Sequence, residues 1–253
     1  MNLSLTPSAA TPRLARKTAG RLAMVLGALA LTTLHLAASP TSYTGFDLNA
    51  GPGDPTPNSS AAYAAFAAAA GSINTITFES SPVGAFTSLV VAPGVTASGT
   101  GLSINNAPNL PSDPSLDGFN TTPGGSNYIE DLASSVTFTF GSPINAFGAY
   151  LSGVQLFFYQ DTVTFSDGTS QTIDVPGVTD GTGSLDFVGF TDPGASITSV
   201  TITSGAGYGD YIGVDDVSYG STVTPEPGSV VLLFTGCLAL GLLVWQRRAA
   251  QTL

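Results

Sequence analysis

Ser135-Val-Thr-Phe-Thr-Phe140 predicts the architecture of this chain more clearly than any other segment, because every second residue in it is apolar. Side chains of a β-strand alternate between its two faces, so Val136, Phe138 and Phe140 are expected on one buried face. Valine, threonine and phenylalanine are also favoured in strands. The segment therefore predicts a strand of an antiparallel sheet with one face toward a core and the other toward solvent.

Segments with the same two-residue period lie on both sides of this strand. They cover residues 73–78, 144–151, 162–175, 185–190, 197–202 and 211–219, and two short strands are expected within 92–104. Asp167-Gly168 predicts a hairpin turn within residues 162–175. Many short strands and no alternation of strands with helices indicate a mainly β protein with an antiparallel β-sandwich.

One helix is predicted just before the first of these strands. Residues 59–70 are rich in alanine, which has the highest helix propensity, and Asn58 to Ser60 are expected to cap the start of the helix. Gly71 is expected to end it. Tyr63 and Phe66 are three residues apart, so they share a face that can pack on the sheet.

The charges are distributed very unevenly along the chain. All 17 acidic residues and none of the 6 basic ones lie within residues 39–227, and this segment also has no His, Cys, Met or Trp. Without Lys or Arg it cannot neutralise phosphates, so nucleic acid is excluded as a partner. Without His, Cys or Lys it has no Ser-His-Asp triad, thiolate nucleophile or Schiff-base lysine. The remaining carboxylates and hydroxyls suit hard cations such as Ca²⁺.

The N-terminal residues 1–38 predict a secretory signal peptide. Basic residues up to Arg21 precede an apolar run that begins at Leu22, and small residues follow before Pro40. Cleavage is expected after Ala38. The alternative is an uncleaved N-terminal membrane anchor.

A second apolar run, Ser229 to Trp245, predicts a transmembrane helix. Its 17 residues would extend about 26 Å as a helix, at the short end of the range that spans a bilayer. Arg247 and Arg248 follow, and basic residues favour the cytoplasmic side. The acidic segment is therefore expected to face outward.

The triplet Pro225-Glu226-Pro227, the apolar helix and the Arg247-Arg248 pair follow one another close to the end of the chain. This order resembles the PEP-CTERM sorting signal of Gram-negative bacteria. The resemblance implies recognition by an exosortase-type transpeptidase, cleavage near Pro225–Pro227, and delivery to the envelope or the exopolysaccharide matrix. The alternative is a plain C-terminal anchor.

Two short segments, Phe78-Glu79 and Val214-Asp215-Asp216-Val217, resemble the early and the last strand of calcium-containing jelly-roll carbohydrate-binding modules. The resemblance implies a jelly-roll sandwich in which Glu79, Asp215 and Asp216 meet on one structural Ca²⁺. The alternative is that these carboxylates accept backbone N–H bonds or cap turns.

The long polar stretch 105–128 is a candidate part of a ligand surface. Tyr128, Tyr208 and Tyr211 are candidates for stacking on sugar rings, because an aromatic face with a polar tip suits carbohydrate. Glu130, followed by Asp131, is the best candidate for a carboxylate pair of the kind that glycoside hydrolases use.

These observations predict four parts: a signal peptide (1–38), a linker with the alanine-rich helix (39–72), a β-sandwich ectodomain (73–222), and a sorting signal with a transmembrane helix (223–253, helix 229–245). The function expected is that of an exported, non-catalytic surface or matrix protein, with polysaccharide as a candidate ligand. A lectin-like module with a defined glycan and a carboxylate-dependent glycoside hydrolase remain as alternatives.

Overall fold

The chain divides into two compact units. One spans Ala37–Thr224, and the other consists of Met1–Leu36 and Pro225–Leu253. The computed structural model describes residues 41–107, 118–132, 135–154, 161–165, 170–173, 183–203, 211–221, 235–241 and 247. The predicted signal peptide and much of the predicted transmembrane helix lie outside these residues. Residues 235–241 are helical, and no helix within the described ranges is long and apolar enough to span a membrane.

The described part of the Ala37–Thr224 unit is a single antiparallel sheet with one helix. The elements are β1 (Thr41–Leu48), α1 (Pro57–Ala70), β2 (Ser72–Ile76), β3 (Gly84–Ala92), β4 (Val95–Asn105), β5 (Tyr128–Leu132), β6 (Ser135–Ile144), β7 (Ala146–Ser152), β8 (Asp161–Phe165), β9 (Ser170–Ile173), β10 (Ser184–Thr191), β11 (Ile197–Thr203) and β12 (Tyr211–Ser221). Every strand pairing is antiparallel. The prediction of a mainly β, antiparallel protein is confirmed.

The sheet curls so that its two halves enclose one core. The strand order is β1-β10-β7-β12-β5-β4-β6-β11-β8-β9, with β2 added to β12 and β3 to β4. Strands β6 and β7 are not hydrogen-bonded neighbours, yet the ring of Phe138 lies 5.8 Å and that of Phe140 6.3 Å from the ring of Phe147. Val136 and Phe138 are fully buried, as the alternation of the opening segment predicts.

Strand β1 was not predicted, because residues 39–72 were interpreted as a linker with the alanine-rich helix. It pairs with β10 along its whole length, from Thr41 opposite Thr191 to Leu48 opposite Ser184. The Gly- and Pro-rich composition that suggested a linker begins only at Gly51. The sheet therefore begins more than thirty residues before the predicted start of the ectodomain at residue 73. Because β10 lies far from β1 in the sequence, no local pattern indicates this pairing.

Helix α1 packs on β1 and β10, and its start is held by a residue outside the helix. The predicted local cap is absent, since Thr56 at the N-cap makes no side-chain capping hydrogen bond. Instead the Asp47 carboxylate accepts the backbone N–H groups of Asn58 at 3.0 Å and Ser59 at 2.8 Å. Gly71, with φ of 74°, ends the helix as predicted.

The apolar face of α1 forms a second, smaller core. The Phe66 ring lies 5.6 Å and the Tyr63 ring 5.5 Å from the Phe187 ring, which confirms that these two helix residues share a buried face. Gly148 on β7 and Gly189 on β10 leave room for the Phe187 ring. Small residues in neighbouring strands therefore make the site where the helix docks.

One pair of strands is present where the sequence predicts it, and another pair begins earlier in the chain than predicted. Strands β8 and β9 pair as predicted for residues 162–175, while the predicted turn Asp167-Gly168 lies outside the described residues. Where two short strands were expected within 92–104, the structure has one longer strand, β4, and its hairpin partner β3 lies almost entirely before this range.

Candidate functional site

Residues 118–127 form a segment that contacts all three carboxylates predicted as metal ligands; we call it the acid-anchored segment. At its C-terminal end the exposed Glu79 accepts the backbone N–H of Ser126 on both oxygens at 3.0 Å. The Glu79 Oε1 also accepts the N–H of Asn127 at 3.0 Å. A Cβ at Gly125 would meet the Glu79 carboxylate, so any larger residue there would displace this carboxylate from its present position.

The other end of the segment is held by Asp215, which is fully buried. Its Oδ2 accepts the backbone N–H of Thr121 at 2.7 Å and that of Thr122 at 3.2 Å. Its Oδ1 accepts the N–H of Asp216 at 2.8 Å. The Asp216 carboxylate in turn accepts the hydroxyls of Thr121 at 2.9 Å and Thr122 at 2.7 Å.

A bulge in β12 presents these two acids to the segment. Asp215 lies opposite Tyr150 of β7 and Ser218 opposite Gly148, so β12 has one residue more than β7 over this interval. Such a bulge turns side chains that the normal alternation would send elsewhere. Asp216 has φ of 46°, a left-handed conformation that aspartate tolerates better than most residues. Both carboxylates therefore reach the same two threonines.

Burial raises the pKa of Asp215 to about 7, and the neighbouring charge of Asp216 adds to the rise. The N–H groups of Thr121 and Thr122 act in the opposite direction, because hydrogen bonds favour the ionised carboxylate. Near neutral pH Asp215 is therefore close to taking up a proton.

The described residues do not fit a calcium site made of all three predicted carboxylates. Within the described ranges, no group of three or more His, Cys, Asp or Glu side chains is arranged to hold a metal ion. Oxygens of Glu79 and Asp215 face backbone N–H donors, which occupy lone pairs that a cation would use. Calcium binding by this protein stays a prediction, and the observed contacts match the alternative role of accepting backbone N–H groups.

Glu130 and Asp131 lie on β5 and face opposite sides of it. Glu130 is partly exposed and accepts hydrogen bonds from the Asn105 amide at 2.9 Å and the Ser103 hydroxyl at 3.3 Å. Asp131 is fully buried. Successive residues of a strand point to opposite faces, so these two carboxyls do not converge on one substrate position.

Of the three predicted stacking tyrosines the structure describes two, Tyr128 and Tyr211, and it does not bring these two together. Tyr128 is only 2% exposed, so its ring is not accessible to a sugar. Tyr211 is 38% exposed and lies opposite Leu132, at the other end of β5 from Tyr128. Tyr208 lies outside the described residues.

The sorting residues Pro225, Glu226, Pro227 and Arg248 also lie outside the described residues. Of the C-terminal pattern, residues 235–241 and Arg247 are described, and both are helical and exposed.

The sequence did not point to a hollow of about 350 Å³ at one end of the curled sheet. It lies where the start of β2, the end of β12, the β3–β4 turn and the end of β6 meet, and Asn74 and Tyr219 contribute side chains to its lining. Glycines at positions 94, 141 and 220 also line it.

No protein-family model matches this chain, and no curated protein matches it in sequence. Among solved structures, the chain is similar to the K1 cleaved adhesin domain of Lys-gingipain from Porphyromonas gingivalis W83, with a TM-score of 0.39 and 10% identity over 60% of this chain and 100% of that one. It is also similar to the catalytic domain of a GH87 alpha-1,3-glucanase in complex with tetrasaccharides (TM-score 0.31, 15% identity, 53% of this chain and 29% of that one). A further similar structure is TmCBM61 in complex with beta-1,4-galactotriose (TM-score 0.26, 14% identity, 50% and 86%). These similarities concern β architecture and assign no ligand or activity.

Proposed function

We propose that this chain is an exported, surface-sorted protein of the bacterial envelope or exopolysaccharide matrix, whose β domain binds polysaccharide without catalysis. The observation that carries the proposal is the order Pro225-Glu226-Pro227, apolar segment, Arg247-Arg248 at the end of a chain that begins with a signal-like sequence. In this proposal an exosortase-type transpeptidase recognises the tail while the apolar helix is in the inner membrane.

The division of the chain into two units supports this proposal. The unit that contains the sheet spans Ala37–Thr224, so its ends lie next to the two expected processing points, after Ala38 and at Pro225–Pro227. Removal of both terminal segments would leave the sheet and α1 complete, because all of the described strands lie between residues 41 and 221.

The burial and hydrogen bonding of the acidic residues support the non-catalytic part of the proposal. Asp215 and Asp131 are fully buried, and Glu79 is held by the acid-anchored segment. Residues 39–227 also contain no histidine, cysteine or lysine to act as a base or nucleophile. The glycoside hydrolase alternative requires turnover of a polysaccharide that is lost in Glu130→Gln.

The sorting part is tested by measuring the intact mass and the cell fraction of the protein in its native host, with and without the exosortase. We expect a mature species that begins near Ser39 and ends near Pro225–Pro227, and that is absent from the cell surface without the enzyme. A species that retains Arg247 and Arg248 in the inner membrane of both strains would show a plain anchor instead.

A further inference from the structure

We infer that a groove along β2 binds an extended, uncharged polysaccharide chain; we call it the β2 groove. The inference rests on the proposed polysaccharide-binding function and adds the site and the charge class of the ligand. The groove begins in the hollow of about 350 Å³ lined by Ser72, Asn74, Phe140, Ser142, Tyr219 and Ser221, among others.

The floor of this hollow combines an aromatic surface with polar groups that have no hydrogen-bond partner among the described residues. The Tyr219 ring packs on the Phe140 ring at 5.3 Å and remains partly exposed. Among the described residues, the Tyr219 hydroxyl and the Asn74 amide take part in no hydrogen bond. Three exposed serine hydroxyls at positions 72, 142 and 221 have no hydrogen-bond partner there either. A sugar ring offers the complementary chemistry, an apolar face with hydroxyls around its edge.

The charge of the groove favours a neutral ligand. No acidic or basic side chain lines the hollow, and residues 39–227 contain no lysine, arginine or histidine to pair with a carboxylate or sulfate on the ligand. The net negative charge of residues 39–227 repels anionic polymers. A polysaccharide built from neutral sugars needs no basic partner, and the acidic residues do not repel it.

The shape of the groove favours a chain over a single sugar. A second hollow of about 530 Å³ shares Pro93 with the first and is lined by Thr75, Thr77, Ser80 and Val90. The two hollows follow β2, whose 5 residues extend roughly 17 Å at about 3.3 Å per residue. Among the described strands β2 pairs with β12 alone, so its other edge has no strand partner there.

The test measures polysaccharide binding by calorimetry, with the protein purified from its native host in the form recovered there. The probes are exopolysaccharide from that host, cellohexaose as a neutral chain, and polygalacturonate as an anionic one. We expect Tyr219→Phe and Asn74→Ala each to weaken binding of the host polysaccharide by about 2- to 10-fold, the effect of one lost hydrogen bond. Tyr63→Phe is the matched control, since it removes a hydroxyl from a partly exposed tyrosine on α1 that lines neither hollow.

The outcomes separate the inference from the function on which it rests. If the unmodified protein binds none of the polysaccharides, the proposed function fails and the inference fails with it. If it binds but Tyr219→Phe and Asn74→Ala bind equally well, polysaccharide binding stands and the β2 groove is the wrong site. Loss of binding in Tyr63→Phe alone would place the site at α1, and binding of polygalacturonate alone would overturn the neutral ligand class. Equal melting temperatures of the three variants exclude unfolding as the cause of lost binding.

Discussion

At the scale of single residues, Asp47 shows how one carboxylate determines where a helix begins. It lies at the end of β1, and it accepts two backbone N–H groups and the Ser59 hydroxyl at the start of α1. Burial raises the pKa of Asp47, but the hydrogen bonds from Ser59 and Asn58 together outweigh burial and hold it below the usual aspartate value. An anion at a helix N-terminus is also stabilised by the helix dipole.

Replacing this carboxylate tests its role as a cap supplied from outside the helix. We expect Asp47→Ala to lower the free energy of unfolding by about 2 kcal/mol, because buried N–H groups at the helix start lose their acceptor. Urea unfolding of the full chain measures the change. Asp54→Ala is the matched control, since Asp54 is exposed and accepts only the N–H of Gly51. Equal losses in both variants would show that Asp47 is not a special cap.

Gly148 makes room for an aromatic ring beneath α1. An added Cβ would lie 2.6 Å from Cζ of Phe187 and 3.3 Å from Cε1 of Phe66, so one of these packed rings would have to move. We expect Gly148→Ala to cost about 1–3 kcal/mol in the free energy of unfolding, the usual range for overpacking a core.

The control for this substitution is Gly141→Ala, which is also in a strand. The nearest atom to its added Cβ would be the carbonyl oxygen of Gly94 at 3.4 Å, an ordinary van der Waals distance. A Gly141→Ala variant that loses as much stability as Gly148→Ala would indicate that glycine matters in these strands for backbone reasons and not for packing.

At the scale of elements, the acid-anchored segment joins strands that are distant in sequence. One of its ends is held by the loop after β2 through Glu79, and the other by the bulge of β12 through Asp215. The Phe119 backbone also exchanges two hydrogen bonds with the Ser152 hydroxyl of β7, at 2.8 and 2.7 Å. The pair of adjacent acids therefore holds a loop against the sheet, with both carboxylates taking O–H or N–H donors.

The raised pKa of Asp215 predicts how stability changes with pH. A carboxyl whose folded-state pKa is about 7, above its ordinary value of 3.8, favours the folded state in its protonated form. Its contribution is therefore fully present below about pH 4 and is lost as the pH rises through about 7. We expect this group to lower the melting temperature between pH 5 and pH 8.

Calorimetric melting in that pH range, compared with Asp216→Asn, tests the assignment. Removal of the Asp216 charge should lower the pKa of Asp215 and move the pH-dependent fall in melting temperature to lower pH. Asparagine tolerates the left-handed backbone at this position. An unchanged pH profile in Asp216→Asn would show that the two carboxylates are not coupled.

At the scale of the whole molecule, the acidic residues and the basic residues occupy separate parts of the chain. Residues 39–227 contain 17 acidic and no basic residues, so the folded sheet carries net self-repulsion. Salt screens such repulsion, with a Debye length of about 10 Å at 0.1 M.

Salt and calcium therefore give a test of how this charge is compensated. We expect the melting temperature of the full chain to rise by about 2–4 °C between low and moderate NaCl, if screening recovers about 1 kcal/mol. Calcium should raise it no more than magnesium at the same concentration, because oxygens of Glu79 and Asp215 already accept N–H donors. A calcium-specific rise that a chelator reverses would support the predicted calcium site.

Local sequence patterns predicted most of the strands, but they did not predict which strands and loops contact each other. Alternation at Val136, Phe138 and Phe140 was sufficient for β6, because a strand with one buried face repeats every two residues. The three carboxylates predicted as calcium ligands all contact one loop. This shared contact depends on the path of residues 118–127 across the sheet, and no periodicity in this polar stretch predicts that path.

The sequence by itself determined the mainly β architecture, the helix with its glycine end, and the absence of basic, thiol and imidazole chemistry from the sheet. These follow from residue type and short-range spacing, which act within a few residues. Only the tertiary structure decided the pairing of β1 with β10, the cap from Asp47 and the groove along β2. Each of these brings together residues that are distant in the chain, and the free energy that selects such contacts comes from packing and hydrogen bonds made only in the folded state.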